Sequence, residues 1–327
     1  MLVQGKAVTS AFQEYELAKG VRLLVAPTTK FKRTRVTVVV HDRLDPKTTS
    51  LGALLPFVQK RGTKHHPTGL ALERASGSLY DAELSGAVHK VGDRQLLAYS
   101  LDVLTDRLAG EPVLEKGLQL LKEVVYEPAV EGDGFVSEYV EQEKRFQVGR
   151  LRSLVNNKPA FARHRCIEEM FRGEPFAEHE LGTEEGIAAA DPVSLKNRHR
   201  ELLATRPVDV YVVGDVDAGR VRDLVGGVFG ADRRELVELG ASKVERGEGP
   251  ERPVVDEERM NQGWLVLGLK SDIGRCHPLR YGLLFLNGIL GGFAHSKLFI
   301  NVREKASLAY AAGSTLTANK GIVLAYA

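Results

Sequence analysis

Nine histidines and two cysteines are the side chains here that could grip a metal, and their spacing decides what each can do. His65 and His66 are adjacent, a spacing that points the two rings apart on most backbones, and they sit in a turn with Lys64 and Pro67, so a solvated loop is expected. His164, Cys166 and Glu168 form a loose H-x-C-x-E, but residues two apart do not share a helix face, and no ligand set follows. His41, His89, His179, His199, His277 and His295 are isolated, with surface or hydrogen-bonded core roles expected. No H-E-x-x-H, H-x-x-E-H, G-x-S-x-G or G-x-x-x-x-G-K-[ST] string occurs. Cys166 and Cys276 make no C-x-x-C pair and are too few for a disulfide framework, which suits a reducing compartment.

Residues 52–63, GALLPFVQKRGT, pose a different question. Leu51, Leu54, Leu55 and Val58 recur at the helical period and Gly62-Thr63 closes the segment. Pro56 lies inside the pattern, where the missing amide hydrogen costs about 3 kcal/mol beyond the first turn.

The elements that would position these residues follow from periodicity. Residues 21–26 (VRLLVA) and 35–40 (RVTVVV) are expected as neighbouring strands, followed by helices over 51–61 and about 69–75. Residues 79–90 and 95–102 flank the Gly92-Asp93 turn as an antiparallel pair. Helical spacing returns over 108–125, 135–155 and 160–171. Asp191-Pro192 caps a helix running to about Leu203, and 208–213 (VDVYVV) is a strand. Paired strands with helices clustered after them indicate an α+β layered fold, not a doubly wound parallel one. We expect a first domain over 1–239, a polar linker over 240–259, and a second domain from 260 that begins with a strand at 264–269 and a helix at 279–290. About 70 residues of that second domain are present, short for a compact core.

Composition narrows the class. Against 43 acidic residues stand 45 basic ones, a net charge of +2, which removes the electrostatic case for binding nucleic acid or an acidic membrane. The first twenty residues lack a continuous apolar core and a small-residue cleavage pattern, and no long apolar run follows, so a cytoplasmic protein without a membrane segment is expected.

Residues 286–310, LNGILGGFAHSKLFINVREKASLAY, are the most distinctive stretch. They resemble the second domain of the pitrilysin/insulinase zinc peptidases, which include mitochondrial processing peptidase, with a pattern close to L-G-G-x-x-x-S-x-L-F-x-x-V-R-E-K-x-x-L-A-Y. LGTEEGI at 181–187, YVVGDVD at 211–217 and Gly62-Thr63 are similar to other parts of that family. The resemblance implies tandem, distantly related α+β domains, each an antiparallel sheet packed on helices, facing one another across a peptide-holding chamber.

It also gives residues 52–63 a meaning. Active members carry H-x-x-E-H five positions before the G-T, where two histidines bind zinc and the glutamate is general base. In this sequence Ala53, Pro56 and Phe57 stand there. The distal glutamate ligand follows an E-K pair, and here Glu143-Lys144 leads to Gln147, Val148, Gly149 and Arg150, with no carboxylate. The resemblance thus implies a chain with no metal and no cofactor of its own, zinc being expected only in an active partner. Arg303 and Tyr310, seven residues apart, match the family's pair that binds substrate backbone and the oxyanion at the scissile carbonyl. Ala82, in Asp81-Ala82-Glu83-Leu84, stands where active relatives dock peptide against an edge strand. The expectation is a non-catalytic subunit pairing with a homologous active peptidase, as a hetero-dimer or a homo-dimer, to bind peptide or unfolded polypeptide. The alternative is a scaffold of the same fold with no role in proteolysis.

Overall fold

The computed structural model describes residues 12–231, 235–248, 251–257 and 262–327. Residues 1–11 of the N-terminal reading and 249, 250, 258 and 259 of the expected linker lie outside the described residues. In chain order the elements are β1 (Gln13–Ala18), β2 (Val21–Pro27), β3 (Arg33–Arg43), α1 (Thr49–Gln59), α2 (Gly69–Gly77), β4 (Glu83–Val91) and β5 (Arg94–Leu104). Then come α3 (Asp106–Ala109), α4 (Val113–Tyr126), β6 (Val130–Glu131), β7 (Gly134–Phe135), α5 (Ser137–Leu154), α6 (Lys158–Met170) and α7 (Glu184–Ala189). The chain continues through α8 (Pro192–Thr205), β8 (Val208–Gly214), α9 (Ala218–Phe229), β9 (Val266–Lys270), α10 (Arg280–Asn287), β10 (Gly313–Thr317) and β11 (Ile322–Tyr326).

Two compact units emerge. The first contains residues 1–90, 95–148 and 180–239; the second contains 91–94, 149–179 and 240–327. Residues 149–179 therefore group with the C-terminal part, and the division falls inside α5.

The first unit is a six-stranded sheet in the order β1-β2-β8-β3-β5-β4, with helices on one face. Residues 21–26 and 35–40 are both strands but not neighbours. β8 lies between them, parallel to β2 and antiparallel to β3. Short separation favours direct pairing, but Val208, Val210 and Val212 of β8 bring a third apolar row that is buried on both flanks, and that long-range gain overrides locality. The helix expected over 108–125 is two: Gly110 (φ 74°) ends α3 in a left-handed cap and Pro112 precedes α4. Strand β4 is an outer edge of the sheet, joined to β5 by Gly92-Asp93.

In the second unit three antiparallel strands run in the order β10-β11-β9. Ile322 of β11 packs with Phe171, Phe176 and Met170 on one sheet face. Lys320 is buried against those rings, 5.1 Å from the centre of Phe171, and its ammonium is neutralised by Asp93 at 3.0 Å. The helix expected to reach residue 290 is α-helical only to Asn287 and continues as π-helical turns at Gly288–Gly292, with another such segment at Phe299–Lys305.

Candidate functional site

Helix α1 is built to be held still. Ser50, Gly52, Ala53, Leu54, Leu55, Pro56, Val58 and Gln59 are all buried. Near its start Gln95 Nε2 donates to the Thr49 carbonyl at 2.9 Å and to Glu180 O at 2.7 Å. Gly52 admits that glutamine, whose side-chain oxygen occupies the space a Cβ would need. Ser50 Oγ accepts from the Thr183 amide at 3.1 Å. At the other end Gln59 Nε2 donates to Val124 O (2.9 Å) and Val125 O (3.1 Å), while its Oε1 accepts from the Tyr99 hydroxyl at 2.6 Å. Burial pushes the Tyr99 phenol far up, so it remains a donor. This packing tolerates Pro56 inside the helix.

The three positions of interest are therefore fixed, and none carries a donor atom for a metal. Ala53 is fully buried, Phe57 is half-buried, and Pro56 lies against β4. The approach at Pro56 is close: a Cβ on Gly86 of β4 would stand 2.6 Å from the Pro56 carbonyl oxygen, which is why residue 86 has none. Where a general-base carboxylate would stand, the chain presents a saturated ring against an edge strand. Among the described residues no three His, Cys, Asp or Glu side chains come together to hold a metal ion. A methyl, a pyrrolidine ring and a phenyl ring do not fit a zinc ion, and no step of chemistry is derived through one.

The acidic residue that remains nearby is committed elsewhere. Glu143, buried on α5, pairs with Arg61 just past α1 (Nε to Oε1, 2.6 Å), and the Arg61 guanidinium lies 5.5 Å from the Phe146 ring. Burial lowers the Lys60 pKa, opposed by the fields of Glu143 and Glu83. Gln147, one of the candidates for the distal ligand position, is fully buried and donates to Leu181 O at 3.3 Å. The Arg61–Glu143 pair spans 82 residues of sequence, so no local signal announces it.

The histidine turn also differs from a merely solvated loop. His66 Nδ1 is 2.9 Å from Glu123 Oε2, which also accepts from Thr63 Oγ1 at 2.7 Å, and His65 Nε2 is 3.4 Å from Glu127. Glu123 on α4 and Glu127 at its C-terminal cap, four residues apart and met by adjacent histidines, were the missed signal. His164 pairs with Glu168 one turn away at 3.3 Å, while Cys166 turns to Met170, 3.6 Å from its sulfur.

Ala82 is buried just before β4, and its amide is bonded to Ser76 O at 3.0 Å. A docking strand would have to pair with the β4 residues that follow, from Glu83 onward.

In the second unit Arg303 and Tyr310 are brought together. The π-helical turn folds back through Leu308 N to Val302 O (3.0 Å), with Ser307 at φ 51°. The Arg303 guanidinium lies 5.3 Å from the Tyr310 ring and 4.7 Å from Phe299, and Tyr310 is 87% exposed. A guanidinium and a phenolic hydroxyl side by side are donors suited to a peptide carbonyl or an oxyanion.

A layered α+β fold whose α1 carries no histidine, cysteine or carboxylate is consistent with an inactive peptidase homologue. The chain belongs to the pitrilysin/insulinase family of peptidases, called M16. A family profile described as the peptidase M16 inactive domain matches residues 191–327. The chain is similar to the probable inactive metalloprotease YmfF of Bacillus subtilis strain 168, 35% identical over 307 residues, covering 93% of this chain and 72% of that one. A solved conserved protein from Enterococcus faecalis V583 superposes with a TM-score of 0.86 at 29% identity, covering 97% of this chain and 75% of the other. A peptidase M16 inactive domain from Pseudomonas fluorescens gives 0.74 at 19%, covering 96% and 73%, a likeness of fold.

Proposed function

We propose that this chain is the non-catalytic member of a peptidase pair, contributing peptide binding to a homologous subunit that carries an intact H-x-x-E-H. It takes no metal or other cofactor itself, zinc being held by the partner, in a hetero-dimer or, between copies, a homo-dimer. The substrate is peptide or unfolded polypeptide. A cytoplasmic setting belongs to the same reading, supported by two free cysteines and by the absence, among the described residues, of any helix long and apolar enough to cross a membrane.

The observation that carries this reading is an asymmetry of loss. Position 56 has become a proline wedged on the edge strand, yet the Arg303 guanidinium and Tyr310 still stand together, the phenol in solvent. The edge strand β4 supports the peptide side of the reading, since an extended substrate adds to a free edge through its own main chain. The test is reconstitution with a homologue bearing H-x-x-E-H and an assay of peptide cleavage. Arg303→Ala and Tyr310→Phe should each lower kcat/KM at least tenfold while leaving the affinity between subunits unchanged, in line with about 2–4 kcal/mol for an oxyanion donor. Full activity in both variants would sink the composite-site reading and leave a scaffold.

A further inference from the structure

The turn between β4 and β5 does not group with the strands it joins. Residues 91–94 belong to the second unit, whereas the rest of both strands lies in the first. Two residues of the turn allow that seating. Gly92, at φ 58°, turns the chain in the left-handed region, and a Cβ there would collide with Ser242 Oγ, so glycine alone admits the close approach. Asp93 then bonds twice: its amide donates to Ser242 Oγ at 2.9 Å, and its carboxylate accepts from the Lys243 amide at 3.1 Å. Ser242 and Lys243, expected as linker, thus clamp the turn.

The third hold is a charge taken out of water. Lys320, in the turn between β10 and β11, is 1% exposed, and its ammonium stands 3.0 Å from Asp93 and 3.7 Å from Glu174, over the rings of Phe171 and Phe176. Glu174 is shared with Lys270 at 3.1 Å, so two ammoniums face two carboxylates. An apolar side chain would cover the same two rings without the desolvation of an ammonium, so the core alone does not call for a lysine here. What the lysine adds is a hold on a carboxylate 227 residues earlier in the chain, at the tip of the hairpin. Without that ammonium, Asp93 and Glu174 lose the positive charge between them, and repulsion favours withdrawal of the tip into water.

We propose that Lys320 is a positioning residue: through Asp93 it seats the tip of the β4–β5 hairpin, and the seated tip fixes the end of β4, the edge on which an extended peptide is laid. Strand β4 has β5 on one side and no strand on the other, and an outer strand frays from its ends unless something beyond the sheet holds it. With the turn held at its glycine, its amide and its carboxylate, β4 presents its main-chain groups in one arrangement, and a docking peptide does not have to order them. The peptide half of this assignment rests on the reading of β4 as a docking edge; the seating of the tip does not.

Hydrogen exchange and peptide binding test the two halves separately. The 327-residue chain is compared with Lys320→Met, whose side chain still covers Phe171 and Phe176, and with Asp93→Asn, which can still accept from Lys243. In both variants the amides of Asp93 and Lys243 should exchange about tenfold faster or more, the β4 amides between Gly86 and the tip should follow, and those of β8 should stay unchanged. The double variant should exchange no faster than either single one, the mark of a single shared interaction. A labelled peptide of alternating valine and threonine, followed by fluorescence anisotropy, should bind each variant about fivefold more weakly or worse. Unchanged exchange in Lys320→Met would overturn the seating, whether or not the peptide binds. Faster exchange throughout the chain, β8 included, would make the pair merely structural and overturn the proposal as well. Faster exchange at the tip with unaltered peptide affinity would keep the seating and overturn the positioning role. Failure of the unaltered chain to bind the peptide would sink the docking-edge reading and the positioning role with it, while exchange at the tip still decides the seating.

Discussion

Helix α1 follows β3 and helix α10 follows β9, but their surroundings differ. Around α1, two glutamines tie the ends, α8 covers the outer side, and the residues at 53, 54 and 55 are fully buried. Around α10, Leu284, Phe285 and Leu286 are each more than half exposed, and the helix passes into π-helical turns. Among the described residues α1 is thus enclosed and α10 is exposed. Positions 53, 56 and 57 of the enclosed helix are apolar, while Arg303 and Tyr310 stand side by side in the unit that holds α10.

Substitutions can break this comparison, and the largest effect is expected at buried charge. Asp42 accepts from Arg198 and, at 2.8 Å, from Arg206, and both Asp42 and Arg198 are almost wholly buried. Asp42→Asn removes the buried charge between the two arginines, leaving Arg198 and Arg206 with the half-exposed Glu201 at 2.7 and 3.1 Å, and should cost about 3–5 kcal/mol in urea unfolding. The second unit's counterpart, Asp93→Asn, leaves Lys320 with Glu174 at 3.7 Å and should cost less.

Next in size is a matched pair of truncations. Val38→Ala should cost about 2 kcal/mol through lost burial and a cavity, whereas Leu269→Ala should change stability by under about 0.5 kcal/mol. Equal losses would mean that the β9 leucines are as well covered as the β3 valines.

Pro56→Ala should raise stability by about 1 kcal/mol, because a missing helix bond is restored at the expense of a small loss of packing and of a stiffer unfolded chain. Destabilisation would mean that the ring is needed for the seating of β4.

The smallest effect is a pH dependence. Burial holds the His199 pKa below the usual histidine value while its Nε2 donates to Val125 O at 2.8 Å. The unfolded chain takes up that proton first, so stability should decline as pH falls below about 6.5 and hold above it. His199→Gln should flatten that part of the profile.

Much of this could be read from the chain because it is local. The period of Leu51, Leu54, Leu55 and Val58 marks α1, Asp191-Pro192 marks the start of α8 with its capping box, and Gly92-Asp93 marks the β4–β5 turn. The insertion of β8 between β2 and β3 was hidden, because the alternation of a strand says that it is buried and not whom it pairs with. The donor-free residues Ala53, Pro56 and Phe57 were legible as types. That Pro56 rests on Gly86, and that Glu143 is occupied by Arg61, depend on contacts between distant segments.

The central claim is that α1 cannot hold a catalytic metal, and its most direct test is zinc analysis of the purified chain after dialysis against zinc, paired with an assay on unfolded peptides. The account predicts zinc far below one equivalent and no cleavage by the chain alone. Stoichiometric zinc, with cleavage that a chelator abolishes and zinc restores, would contradict it.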